Sequence, residues 1–198
     1  NRLAINDVEG GRQPLFGSSE SVVALYNGEI YNHLELRNNL KKKNVFVPNL
    51  VDGAVIPFLY EQYGENFIDH LDGMYAIALL DLRKKKLLLS RDIAGEKPLY
   101  YSKNADEVYF ASHIPAFRNL LNSELNLNYQ AIWDLISFLW IPEPATIYKE
   151  VIAIMPGETI TFDLDGTANS RIRKYISNTD FPADPDEAAQ YLRGALER

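Results

Sequence analysis

An α+β domain is predicted by two observations on this 198-residue sequence: pairs of short apolar strands joined by turn residues, and segments of helical spacing set between them. The first strand runs from Ser21 to Tyr31, with Asn27-Gly28 predicted as a tight turn inside it. Asn32 and Glu35 then form a capping box, Leu36 and Leu40 lie four apart, and Lys41 to Lys43 suit the negative end of a helix dipole, so a helix is expected over 33–43. Val55, Phe58, Leu59 and Gln62 before Gly64 predict a second helix, with Pro57 confined to its first turn. Met74 to Asp81 and Leu87 to Arg91 read as buried strands of one hairpin, and Leu99 to Ser102 with Glu107 to Ala111 as another. Helical spacing returns at Pro115 to Leu121 and Tyr129 to Leu139, until Ile141-Pro142-Glu143-Pro144 breaks it. Glu158 to Leu164 and Arg171 to Ile176 flank Asp165-Gly166 as a third strand pair. Asp184, Pro185 and Glu187 start a last helix by cap, first-turn proline and capping partner. Its apolar positions Ala188, Leu192 and Ala195 have little to pack on, which predicts a following domain.

Composition removes several functions. The formal charge is −7, and the basic runs Lys41 to Lys43 and Arg83 to Lys86 read as a helix end and a turn, so neither a nucleic acid nor an anionic membrane is an expected partner. The longest apolar stretch, Met74 to Leu80, falls far short of the roughly 20 residues that span a bilayer. No signal peptide opens the chain, which starts at Asn1 and is expected to begin inside a longer product. Zero cysteines exclude disulfides, thiolate metal sites and a thiol nucleophile within these residues. His33, His70 and His113 are scattered without metal spacing, and Asp163-Leu164-Asp165-Gly166 lacks the later ligands of a calcium loop and reads as a turn, so no metal site is expected. No glycine-rich phosphate loop occurs, so this domain itself calls for no cofactor.

The informative stretch is Tyr26-Asn27-Gly28-Glu29-Ile30-Tyr31-Asn32-His33. Alone, Asn-Gly is an ordinary hairpin turn. It stands, however, in order with Arg2-Leu3-Ala4-Ile5-Asn6-Asp7, Gly10-Gly11-Arg12-Gln13-Pro14-Leu15, Leu71-Asp72-Gly73-Met74-Tyr75-Ala76, Arg91-Asp92 followed by Gly95-Glu96-Lys97-Pro98-Leu99-Tyr100-Tyr101, and Ile147-Tyr148-Lys149 leading to Met155-Pro156-Gly157. Together these segments resemble the glutaminase domain of class II glutamine amidotransferases, of the asparagine synthase type, over nearly the whole chain.

The resemblance implies a four-layer αββα sandwich of the N-terminal nucleophile (Ntn) hydrolase type, with residues 1–180 as the amidotransferase domain and 181–198 as the start of a helix leading onward. Glutamine is a zwitterion with a primary amide, so its site needs a cation, an anion and oxyanion donors. By resemblance Arg2 pairs the carboxylate, Asp52 holds the ammonium, Glu29 lines the site, and Asn27 and Gly28 form the oxyanion hole. The family's nucleophile is an N-terminal cysteine, which Asn1 does not supply, so the nucleophile is expected upstream of these residues and the isolated chain is expected to be inactive. An ATP-dependent synthetase domain, using ATP and magnesium to amidate aspartate, is expected beyond Arg198. The implied partners are glutamine and that synthetase domain, a homodimer is compatible with the reading, and a cytoplasmic location is implied. The sequence departs from the family at Asn6, usually apolar, at Val51 and Ala54 beside Asp52, usually serine and glutamate, and at His113, usually glutamate. The rival reading is a degenerate scaffold domain of a β-lactam synthetase-like enzyme, and a weaker one is a structural partner-binding domain.

Overall fold

A computed structural model describes residues 12–121, 124–163, 166–173 and 184–196. The elements run β1 (Leu15–Phe16), β2 (Val22–Ile30), α1 (His33–Lys42), α2 (Val55–Tyr63), β3 (Gly73–Asp81), β4 (Lys86–Arg91), β5 (Tyr100–Lys103), β6 (Val108–Ala111), α3 (Phe117–Leu120), α4 (Tyr129–Phe138), β7 (Ile152–Ala153), β8 (Glu158–Asp163), β9 (Ala168–Ile172) and α5 (Pro185–Leu196). Short 3-10 turns at Asp52–Ala54, Gly64–His70 and Ile114–Ala116 connect some of them.

A six-stranded antiparallel sheet has the order β1-β2-β3-β4-β8-β9, and a three-stranded one the order β6-β5-β7. Alternation along β3 explains how they stack. Tyr75, Ile77 and Leu79 enter a core shared with Leu36, Leu40, Ile56, Leu59 and Phe67 of the helical layer. Ala76 and Ala78, pointing the other way, pack with Leu89, Leu99, Ile154 and Phe162 against the small sheet. On the far side of that sheet Phe117 of α3 joins Tyr100, Tyr109 and Tyr148. Helices, sheet, sheet and helices thus form four layers, as expected, and both faces of the β3–β4 hairpin are covered, which is why its sequence reads as continuous apolar runs.

Several local expectations change. Asn32 precedes α1 but makes no capping bond. Its side chain instead donates to the His70 carbonyl at 2.9 Å and accepts from the Asp72 N–H at 3.1 Å, so tertiary partners have taken the place of the capping box. The segment 115–121 divides into a 3-10 turn and one turn of α3. The third hairpin is tighter than predicted, because Phe162 already pairs with Ala168; residues 174–176 of its expected second strand lie outside the described residues. At α5 the predicted cap is present: the Asp184 carboxylate accepts from the N–H groups of Asp186 and Glu187. Along and just beyond α4, Tyr129, Trp133, Ile136, Phe138, Leu139 and Trp140 are exposed. Among the described residues, no helix is long and apolar enough to cross a membrane.

Candidate functional site

Asn27 and Gly28 are not a turn. All of Val22–Ile30 pairs with β3, placing Asn27 opposite Ala76, Gly28 opposite Tyr75 and Glu29 opposite Met74. The predicted tight turn is therefore corrected: pairing along two long strands outweighs the preference of one dipeptide. The glycine answers a different need. Gly28 has φ +151°, and a Cβ there would lie 2.0 Å from the Met74 carbonyl oxygen. Since Asn27 faces the same way as Ala76, it projects on the side of the second sheet, where its side chain is exposed and that of Glu29 half-buried.

Asp52 approaches from the helical layer. It opens the 3-10 turn before α2, where an aspartate would ordinarily cap the helix, yet it makes no capping bond. Its buried carboxylate crosses to β2, where Oδ2 accepts the Ile30 N–H at 2.8 Å and the Tyr26 hydroxyl. Tyr26 is held at three points. The Gln13 amide donates to its carbonyl at 2.6 Å and accepts its N–H at 2.8 Å, extending the ladder that β1 begins. Its ring lies where a Cβ on Gly53 would fall, 2.5 Å from the nearest ring carbon. Burial, and then the hydrogen bond and charge of Asp52, push the Tyr26 phenol far above the usual tyrosine range, so the hydroxyl stays protonated and donates. Arg37 lies close enough to feel the same carboxylate: burial lowers its pKa and the charge of Asp52 opposes that. The Arg37 guanidinium donates to the carbonyls of Val47 and Val51.

Carboxylates crowd the end of β2. The exposed Tyr31 hydroxyl is raised by desolvation and then by Glu96, Glu29, Asp72 and Asp92, and the charge of Glu29 also reaches Tyr26. Such a field favours a cationic group and repels a lone anion. Arg2, expected by resemblance to pair the carboxylate of glutamine, lies outside the described residues, as does Asn6. Two surface cavities do occur, one of about 140 Å³ beside Asp69 and Arg171 and one of about 330 Å³ beside Leu82 and Phe162. Neither includes Asn27, Gly28, Glu29 or Asp52.

The segment after β4 is a knot of hydrogen bonds next to this site. Arg91, almost wholly buried, donates to the carbonyls of Gly95, Lys97 and Ile154 and to the Glu143 carboxylate. The Asp92 carboxylate accepts the N–H groups of Tyr75, Glu96 and Lys97. Arg91 and Asp92 therefore position the loop between β4 and β5. Among the histidines, the ring of His70 rests 4.1 Å from that of Tyr63, His33 Nδ1 is buried without a hydrogen-bond partner, and His113 is exposed. At the remaining departures, Val51 and Ala54 are buried in the apolar core beneath α1 and α2.

The structure brings Asn27, Glu29 and Asp52, all named from the sequence, around one end of β2, but on two faces of the strand. Sequence reading does not find Tyr26, Gln13 or Gly53 as partners of the site. Gln13 stood in a segment already singled out, whereas nothing in the sequence couples Tyr26 to Gly53.

A family model described as a glutamine amidotransferase domain matches residues 1–176. The chain is 36% identical over 195 residues to asparagine synthetase [glutamine-hydrolyzing] 1 of Bacillus subtilis (strain 168), covering 98% of this chain and 31% of that protein. It is 48% identical over 116 residues to asparagine synthetase [glutamine-hydrolyzing] 2 of Oryza sativa subsp. japonica, covering 58% of this chain and 19% of that protein. The chain thus spans less than a third of the length of these curated relatives. Among solved structures, glutamine phosphoribosylpyrophosphate amidotransferase from B. subtilis superposes with a TM-score of 0.56 at 20% identity, over 81% of this chain and 31% of that one. That likeness is one of fold, and it agrees with the layers built above from the burial of β3. The family model, matched over residues 1–176, shows that the chain belongs to the glutamine amidotransferase domain family.

Proposed function

We propose that this chain is the glutamine-hydrolysing part of an asparagine synthase-like enzyme. The observation that carries the reading is that Asn27-Gly28-Glu29, kept in the strand by Gly28, lies beside the Asp52 carboxylate, which is docked on the same strand at Ile30. A thiolate attacks the side-chain amide carbon of glutamine, and the carbonyl oxygen takes up the negative charge. The Asn27 side-chain amide and the Gly28 N–H donate to that oxyanion. Ammonia leaves on protonation of the amide nitrogen, and water hydrolyses the thioester to glutamate and the free thiol. Asp52 and the neighbouring carboxylates receive the substrate ammonium, and Arg2 its carboxylate.

None of the 198 residues is a cysteine, so the thiol comes from outside them. Ammonia then passes to a synthetase part, which uses ATP and magnesium to amidate aspartate. Glutamate release from glutamine by the whole gene product, by the 198-residue chain and by the whole product with its nucleophilic cysteine changed to alanine tests this. Release by the first alone supports the reading; release by the 198-residue chain, or none by the folded whole product, overturns it.

A further inference from the structure

Asp52 does not hold itself in place. Val51 before it and Ala54 after it have no polar side chain, and the carboxylate is fixed from β2 by two donors that both use Oδ2, the Ile30 N–H at 2.8 Å and the Tyr26 hydroxyl. A backbone N–H cannot be varied by side-chain substitution, whereas a tyrosine hydroxyl can. The tyrosine itself is placed with unusual care: Gln13 grips both of its backbone groups, and the absence of a side chain at Gly53 leaves room for its ring. Gly53 is in a 3-10 turn, and no left-handed backbone is recorded there, so its lack of a Cβ serves the ring and not the chain path.

We propose that Tyr26 is a positioning residue for substrate selection: its hydroxyl, seated through Gly53, turns the Asp52 carboxylate so that Oδ1, the oxygen these two donors do not use, is presented to the α-ammonium of glutamine. The proposal rests on the glutamine-hydrolysing reading above and deepens it. A carboxylate held by two donors on one oxygen loses little rotational freedom when the other receives a cation, so the pair Tyr26–Gly53 sets how strongly the α-amino group counts in binding.

The test is steady-state glutamate or glutarate release by the whole gene product, with glutamine and with 5-amino-5-oxopentanoate, the same amide lacking the α-amino group. In Tyr26→Phe the KM for glutamine rises about tenfold, kcat stays within about twofold, and the KM for the deaminated amide is unchanged, so discrimination between the two substrates falls about tenfold. Gly53→Ala, which drives the ring from its seat, gives the same loss of discrimination. Unchanged discrimination in Tyr26→Phe, an equal loss for both substrates, or loss of cooperative melting in this ring-preserving variant overturns the proposal and leaves glutamine hydrolysis standing. No turnover by the folded wild-type protein overturns the hydrolytic reading itself, and this proposal with it.

Discussion

Arg91 and Glu143 meet across the fold, with Nη1 of the arginine 2.9 Å from both carboxylate oxygens, and the same guanidinium also holds three backbone carbonyls. The arginine side chain is 8% exposed and the glutamate 28%, so the two ends of the pair are unequal. Removing the arginine leaves buried carbonyls unpaired, whereas removing the glutamate charge leaves a cation that still has carbonyl partners.

Arg91→Met is therefore expected to cost about 3–5 kcal/mol, and Glu143→Gln only about 1 kcal/mol. Chemical denaturation of both variants checks the asymmetry. Equal losses would place the stabilising role in the ion pair instead of the carbonyl contacts.

Gly28→Ala meets two obstacles at once, a backbone with φ +151° and a carbonyl oxygen 2.0 Å from the new Cβ. A loss of about 3 kcal/mol or more is expected, with the β2–β3 pairing weakened around Tyr75. Amide hydrogen exchange at Met74 reports it, and protection equal to wild type would refute the close-approach argument.

Asn27 is exposed on its strand, so its removal should leave the fold intact. On the hydrolytic reading, Asn27→Ala lowers kcat for glutamate release about 10²–10³-fold with an unchanged melting temperature. A variant with wild-type kcat would remove Asn27 from the oxyanion hole.

Alkaline pH should loosen the packing of β3. Burial pushes the Tyr75 hydroxyl up to about 12 from 10.0, with nearby Arg173 pulling it part of the way back. Because the folded value lies above the unfolded one, this group's contribution is fully present below pH 10 and is lost as pH rises towards 12. Two units correspond to roughly 3 kcal/mol. Denaturation of wild type and Tyr75→Phe between pH 8 and 12 compares them, and parallel pH profiles for the two proteins would refute the assignment.

The hairpins were legible because their apolar runs and turn residues are local, and α5 because its cap, Asp184, lies within three residues of the amides it binds. What escaped the sequence depended on distance along the chain. The capping box at Asn32 was a sound local pattern, but His70 and Asp72, 38 and 40 residues away, took its side chain. Asn27-Gly28 carried a turn signal that only the register with β3 could overrule. Asp52 was identified by resemblance, yet its partner Tyr26, 26 residues earlier, reads in sequence as one more aromatic residue in a strand.

The loop after β4 carries its own anion. A row of amides curved around a negative group is how many proteins seize a phosphate or carboxylate, and here the N–H groups of Tyr75, Glu96 and Lys97 already enclose the carboxylate of Asp92. The cradle is filled from within, by a side chain of the loop itself. The stretch Arg91-Asp92 with Gly95 to Tyr101, prominent in the sequence, thus acts as masonry beside β2, its charged groups spent on the loop's own backbone.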